Sequence, residues 1–346
     1  MVRRRRASEK KRGVGAAGIL LIAFFMIIGL AVGAGWLLYT PYGPDTETFV
    51  EVPPGTSAVR IGKMLEAQGI VRTRFVFDAV RTWKGGTLRA GEYRFDRPET
   101  VAEVYERIQR GDVFTKSVTI PEGASMFDIA ARLEQAGLGT QQQFLTEATR
   151  QTALIADLDP KAKSLEGYLF PDTYHFSRKA TPEQIATAMV KRFRQAAQQL
   201  GLTQNVHAVV TMASLVERET AVDAERPLVA SVFENRLAKN MPLMTDPSVI
   251  YGLQLQRLWR GTIYASDLKR DTPYNTYLHA GLPPGPVANP GIPALRAAMQ
   301  PAQTNYLYFV AANQNPQGRS MFAATLDEHN RNVASYRHAM KKAGSR

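Results

Sequence analysis

The spacing of apolar and polar positions divides the chain into three parts. These are an uncharged N-terminal run, two related strand–turn–helix segments, and a longer stretch of helical periodicities broken by loops rich in Pro, Gly, Asn and Tyr. Residues 14–39 carry no charge and contain Ile19-Leu20-Leu21-Ile22-Ala23-Phe24-Phe25-Met26-Ile27-Ile28. About 20 apolar residues cross a bilayer as a helix, so a transmembrane anchor is expected over residues 13–39. Trp36 and Tyr39 stand where an interfacial aromatic belt would lie. The length of the apolar stretch favours a retained anchor over a cleaved signal peptide. Thr40-Pro41-Tyr42-Gly43-Pro44-Asp45 should end the helix.

Beyond that linker the pattern repeats. Val50-Glu51-Val52-Pro53-Pro54-Gly55-Thr56-Ser57 leads into Ile61, Met64, Leu65, Glu66 and Gly69. Val118-Thr119-Ile120-Pro121-Glu122-Gly123-Ala124-Ser125 leads into Ile129, Leu133, Glu134 and Gly137. Each copy reads as a short strand, a turn and a helix, with Ser57 and Ser125 as N-caps. Between them, Phe75–Val80 and Val101–Arg110 read as helices and Gly91–Phe95 as a strand. A strand–helix–helix–strand unit of this size suits a small glycan-binding module, and equally a structural spacer.

Helical spacing returns over Gln141–Arg150, from Thr181-Pro182-Glu183 to Gly201, from near Thr203 to Glu219, through Leu228, Val229, Val232, Phe233, Arg236 and Leu237, and over Leu326–Lys341. Asn305-Tyr306-Leu307-Tyr308-Phe309-Val310 reads as a buried strand. The intervening stretches read as loops shaping a site. They are Leu165–Tyr174, Leu243–Gly252, Tyr274-Asn275-Thr276-Tyr277, Gly281–Pro286 and Asn289-Pro290-Gly291. The aromatics and carboxylates of Leu165–Tyr174 suit a carbohydrate cleft, or a packed turn with core aromatics. The fold class expected is α+β.

Composition narrows the function. The chain has 346 residues, 45% apolar and 21% charged, as in a globular protein of more than one domain. It has no cysteine, which excludes disulfides and thiolate catalysis. Of the net charge of +12, half lies in residues 1–12, directly before the apolar run. The position marks a topology signal rather than a nucleic-acid tail. The tail belongs in the cytoplasm and everything after Tyr39 outside it.

No Walker motif, dinucleotide fingerprint or Gly-x-Ser-x-Gly elbow is present. The five histidines lack metal-ligand spacing. Neither cofactor nor metal is expected, and carboxylate chemistry is what remains. Its best candidate is Met212-Ala213-Ser214-Leu215-Val216-Glu217-Arg218-Glu219-Thr220, where an apolar helix ends in two glutamates. A carboxyl group in a partly dry site can stay protonated and act as a general acid. On a helical wheel Glu217 and Glu219 lie about 100° to either side of a polar stripe of His207, Thr211, Ser214 and Arg218. Geometry leaves both open.

With these motifs in view, the chain resembles the YceG-like family, the endolytic murein transglycosylases of the MltG type. The resemblance covers nearly the whole length. It is carried by Leu165-Glu166-Gly167-Tyr168-Leu169-Phe170-Pro171-Asp172-Thr173-Tyr174, Ala213–Thr220, Thr245-Asp246-Pro247-Ser248-Val249-Ile250-Tyr251-Gly252, Tyr274–Tyr277 and Gly281–Pro286.

The resemblance implies a cytoplasmic tail (1–12), an anchor (13–39), a LysM-like module (40–116) and a catalytic domain (117–346) in the periplasm, on the inner membrane. It also implies cleavage without water of the β-1,4 bond between N-acetylmuramic acid and N-acetylglucosamine, leaving 1,6-anhydro ends and terminating nascent strands. Glycan strands would be the substrate and peptidoglycan synthases the partners. The family's catalytic glutamate falls on Glu219. Glu166, Tyr168, Asp246, Tyr274 and Asn275 are expected near the cleft, with Glu166 the candidate supporting carboxylate. The rival readings are a hydrolase on the same substrate and a non-catalytic glycan-binding scaffold.

Overall fold

A computed structural model describes residues 16–312 and 318–344. The basic tail, residues 1–12, and the first residues of the expected anchor lie outside the described residues. The chain is mixed α+β and divides between Thr115 and Lys116 into two compact units.

In the first unit, helix α1 (Ala16–Tyr39) precedes strand β1 (Thr48–Val52), helices α2 (Ala58–Ala67) and α3 (Arg74–Lys84), strand β2 (Gly91–Phe95) and helix α4 (Val101–Arg110). Strands β1 and β2 pair antiparallel. Their inward residues Val50, Val52, Tyr93 and Phe95 bury against Ile61, Leu65, Phe77, Val104 and Ile108 of the helices. Each helix thus contributes one apolar stripe and leaves its polar face in water. Thr100 and Glu103 form a reciprocal capping box on α4. Gly18–Tyr39 has a mean hydropathy of 2.5 and no buried residue, and is long and apolar enough to cross a membrane.

The second unit opens with strand β3 (Lys116–Thr119), helices α5 (Met126–Gln135) and α6 (Gln141–Arg150), and strand β4 (Thr173–Phe176), which pairs antiparallel with β3. Helices α7 (Pro182–Leu200), α8 (Val206–Glu219), α9 (Arg226–Ala238), α10 (Asp246–Leu255) and α11 (Ile292–Met299) follow. The antiparallel strands β5 (Tyr308–Ala311) and β6 (Ser320–Ala323) and helix α12 (Leu326–Gly344) complete it. Helix α8 is the axis of this unit. Every residue from Thr211 to Val216 is buried, so no face is left to solvent over that stretch, and α9, α10 and α11 pack around it.

Several expectations change. Leu243–Gly252 is not one loop: Thr245 precedes α10, with Pro247 in its first turn, where a missing N–H costs nothing. The strand expected over 305–310 begins at Tyr308 and is half-buried, because β5 and β6 form only a two-stranded ribbon. Helix α8 starts three residues later than expected, after Asn205 in a left-handed turn (φ 51°). Ser125 caps α5 through Asp128, whereas Ser57 holds the cap position of α2 without a side-chain bond. The α11 helix was hidden behind Asn289-Pro290-Gly291 and emerges only in the structure.

Loop polar groups are tied to the helices from inside. Asn289 accepts from the Leu169 N–H (2.8 Å) and donates to the Ala124 carbonyl (2.9 Å) and to Glu166 Oε1 (2.7 Å). Glu166 accepts from the Met126 N–H (2.9 Å), at the first turn of α5. Burial outweighs that bond and pushes the Glu166 carboxyl up to about 8. Gly167 (φ 87°) follows, and a Cβ there would meet Pro286 at 2.5 Å and Val210 at 2.7 Å.

Two outcomes follow from this packing. Gly167→Ala should destabilise the second unit by about 2 kcal/mol or more, through strain and overlap together, seen as an earlier urea transition. The folded Glu166 holds its proton more tightly than an unfolded glutamate does. Its contribution to stability is therefore present at low pH and declines as pH rises from about 4.5 to about 8, by at most about 1.4 kcal/mol per pH unit. Thermal midpoints between pH 5 and 9 should fall more steeply for the wild type than for Glu166→Gln.

Candidate active site

The end of α8 separates its two glutamates. Glu217 accepts from Arg226 Nη2 (2.7 Å) and from the Gly291 N–H (3.0 Å), and its side chain is 4% exposed. Both carboxylate oxygens are committed to holding α8 against α9 and the start of α11. Arg218 turns outward, one guanidinium nitrogen 3.2 Å from the Gly123 carbonyl. Glu219 is half-buried and accepts no hydrogen bond from any described residue. It opens into a cleft of about 500 Å³. The helix stops there because Thr220 is extended (φ −141°, ψ 135°).

The cleft is lined by Phe233 and Arg236 of α9, Asp246 at the start of α10, Tyr277, Tyr308 of β5 and His329 of α12, among others. Burial, then the negative charge of Asp246, pushes the Glu219 carboxyl up to about 7, against the pull of Arg236 and Arg218. At neutral pH it therefore exists in both protonation states. Arg236 donates from Nε to the Leu307 carbonyl (2.7 Å) and from Nη1 to the Leu243 carbonyl (2.8 Å). Its guanidinium lies 5.4 Å from the centre of the Tyr308 ring, and His329 stacks on Tyr308 (5.1 Å, 24°). A flat aromatic surface beside polar groups is what a sugar ring binds.

Two loops build the cleft floor together. Thr276 Oγ1 accepts from the Thr245 N–H (3.0 Å) and lies 2.8 Å from Ser248 Oγ. The Tyr277 hydroxyl donates to Asp246 Oδ1 (2.6 Å). Asn275 holds the second loop, donating to the Leu268 and Arg270 carbonyls (3.0 and 2.8 Å) and accepting from the Tyr277 N–H (3.0 Å). Met244, at the cleft edge, takes a left-handed backbone (φ 55°) that non-glycine residues avoid. Such outliers gather at functional sites.

Of the residues singled out from the sequence, Glu219 and Asp246 line this cleft. Glu166, Tyr168, Tyr274 and Asn275 are not among its lining residues. Glu166 anchors α5, as described. Tyr168 is fully buried, edge-on to Phe193 (5.0 Å, 87°), with its hydroxyl on Asp159. Asp159 also faces His207 Nδ1 (2.7 Å), and His207 Nε2 faces the Pro284 carbonyl (3.1 Å). Tyr168 and Phe170 are thus core, and Tyr174 is half-buried. Tyr274 packs edge-on to Tyr251 (5.0 Å), and burial followed by the charge of Glu166 pushes its hydroxyl up to about 12. Arg236, Tyr277, Tyr308 and His329 were not singled out. Arg236 left one trace: a charged residue within an otherwise apolar helical stripe.

Comparison with known proteins places the chain in a family. The model of the YceG-like family matches residues 50–335. A Bacillus subtilis protein named endolytic murein transglycosylase is 33% identical over 334 residues, 90% of this chain and 91% of its own. A Streptococcus pneumoniae protein of the same name is 29% identical, and the match spans 91% of this chain but 65% of that longer protein. The crystal structure of a YceG-like protein from Listeria monocytogenes superposes with a TM-score of 0.54 at 32% identity, covering 83% of this chain and 99% of its own. A family match over most of the length, together with a relative 33% identical over nine-tenths of both chains, makes this chain a member of the YceG-like family.

Proposed function

We propose that this protein is a membrane-anchored peptidoglycan lytic transglycosylase that cuts nascent glycan strands and leaves 1,6-anhydro ends, with Glu219 as its acid and base. The observation that carries the reading is Glu219 itself. It ends a buried helix, faces the cleft without a hydrogen-bond partner among the described residues, and is held near neutral pH by burial and a neighbouring charge. The names of the Bacillus and pneumococcal relatives support the same reaction.

Protonated Glu219 donates to the bridging oxygen between N-acetylmuramic acid and N-acetylglucosamine. The bond breaks with an oxocarbenium-like centre left on the muramoyl sugar. Glu219, now a carboxylate, takes the proton of the 6-hydroxyl as that oxygen closes on the anomeric carbon. The partly dry cleft serves both halves, because it weakens the carboxylate's solvation and so keeps it basic. Tyr308 and Arg236 offer a ring face and a cation to the substrate.

The apolar α1 holds the protein in the cytoplasmic membrane with its tail inside and both units in the periplasm, close to where new strands emerge. The order β1, α2, α3, β2 in the first unit supports reading it as a LysM-like module that holds the glycan strand. Peptidoglycan synthases of the elongation machinery are the natural partners of an enzyme that ends their products.

Full-length protein in detergent micelles, incubated with glycan strands, should release fragments whose masses carry the anhydro end. Glu219→Gln should lower that rate about 100-fold or more and keep its thermal midpoint. Reducing ends from the wild type would make the enzyme a hydrolase. No fragments from either protein, with binding intact, would leave a scaffold. Because the acid must be protonated in the first step, the wild-type rate should fall as pH rises through about 7.

A further inference from the structure

Glu219 does not face its cleft alone. Asp246 lines the same cleft, and its Oδ1 accepts a hydrogen bond from the Tyr277 hydroxyl at 2.6 Å. Two carboxyl groups in one partly dry site resist ionising together. Asp246 has a hydrogen-bond donor, Tyr277, and Glu219 has none among the described residues. The donor is also built in. Tyr277 is placed by Asn275 and Thr276, and Thr276 in turn grips Thr245 and Ser248, the residues flanking Asp246.

The other charged or titratable groups around the pair do not take over this part. Arg236 of α9 is turned to the Leu243 and Leu307 carbonyls and makes no ion pair among the described residues. Arg218 of α8 is exposed and faces the Gly123 carbonyl. Tyr308 of β5 and His329 of α12 stack on each other. Burial, followed by Arg236, holds His329 below the ordinary histidine range, so it brings no positive charge at neutral pH.

We propose that Asp246 is the second carboxylate that works with protonated Glu219, and that Tyr277 is the positioning residue that holds it in place. The inference builds on the lytic transglycosylase reading. In the first half-reaction the Glu219 proton passes to the bridging oxygen, which departs with the electron pair of its bond to the anomeric carbon. The charge of Asp246 stabilises the cation and forms no bond to it. In the second half the muramoyl 6-oxygen closes on the anomeric carbon and its proton returns to Glu219. The Asp246 charge drives this step as well, because it makes the neighbouring carboxylate a stronger base. Enzyme and protons end as they began. One fixed charge thus serves both halves of a reaction that has a single proton carrier.

The test joins the pH–rate profile of anhydro-end formation with a substrate-free titration of full-length protein, in which the Glu219 carboxyl is followed by ¹³C NMR and assigned with Glu219→Gln. Asp246→Asn should lower kcat at least tenfold with little change in KM, and should move both the alkaline limb and the Glu219 titration to lower pH by about one unit. Tyr277→Phe should lower kcat less than Asp246→Asn does, with little change in KM, and should leave the alkaline limb near its wild-type position. Unchanged thermal midpoints would show that both variants fold. If Asp246→Asn leaves the Glu219 titration where it is, the inference is overturned, whatever the product. If the titration moves but the wild type forms no anhydro ends, the pairing stands and the proposed reaction falls.

Discussion

The last turn of α8 is held by one buried ion pair, and the site depends on it. Glu217 is fixed between the Arg226 guanidinium and the Gly291 N–H. A buried carboxylate is costly unless paired and hydrogen-bonded, and Glu217 is both. Glu217 thus ties the last turn of α8 to α9 and the start of α11, two residues before the carboxyl that lines the cleft.

The same division between holding and reacting runs through the loops. Asn289 and Glu166 connect the loop before α11, the turn after α6 and the first turn of α5. Asp159, Tyr168 and His207 fasten the start of α8 to the Gly281–Pro286 loop. These polar groups are buried and paired, as interior groups must be. What faces the cleft is different in kind: a partly exposed carboxyl without a partner among the described residues, a second carboxylate with one donor, and an aromatic pair.

Much of this was readable from residue spacing. Helices α4 and α6 begin and end as expected, because capping residues and periodicity agree there. The family motifs located the right segments, yet composition could not say which of their residues point into the cleft. Tyr168 and Tyr277 are both tyrosines in motif loops; one is core and the other lines the site. The difference lies in long-range partners, Phe193 and Asp159 for one and Asp246 for the other. Glu217 and Glu219 were indistinguishable on a wheel for the same reason, since Arg226 and Gly291 become neighbours only in the folded chain. Helix α10 was missed because Pro247 reads as a loop signal unless the first-turn position is recognised.

The placement of Glu219 as the final residue of α8 has one more effect. The peptide dipoles of a helix sum to a partial negative charge at its C-terminal end, which favours cations there and disfavours a carboxylate, by about 0.3–1 kcal/mol. Most structural carboxylates are found at the opposite end, where the backbone welcomes them. Here the backbone of fourteen residues opposes ionisation. That contribution comes from main-chain geometry rather than from any side chain, so no single side-chain substitution along the helix removes it while the helix stands.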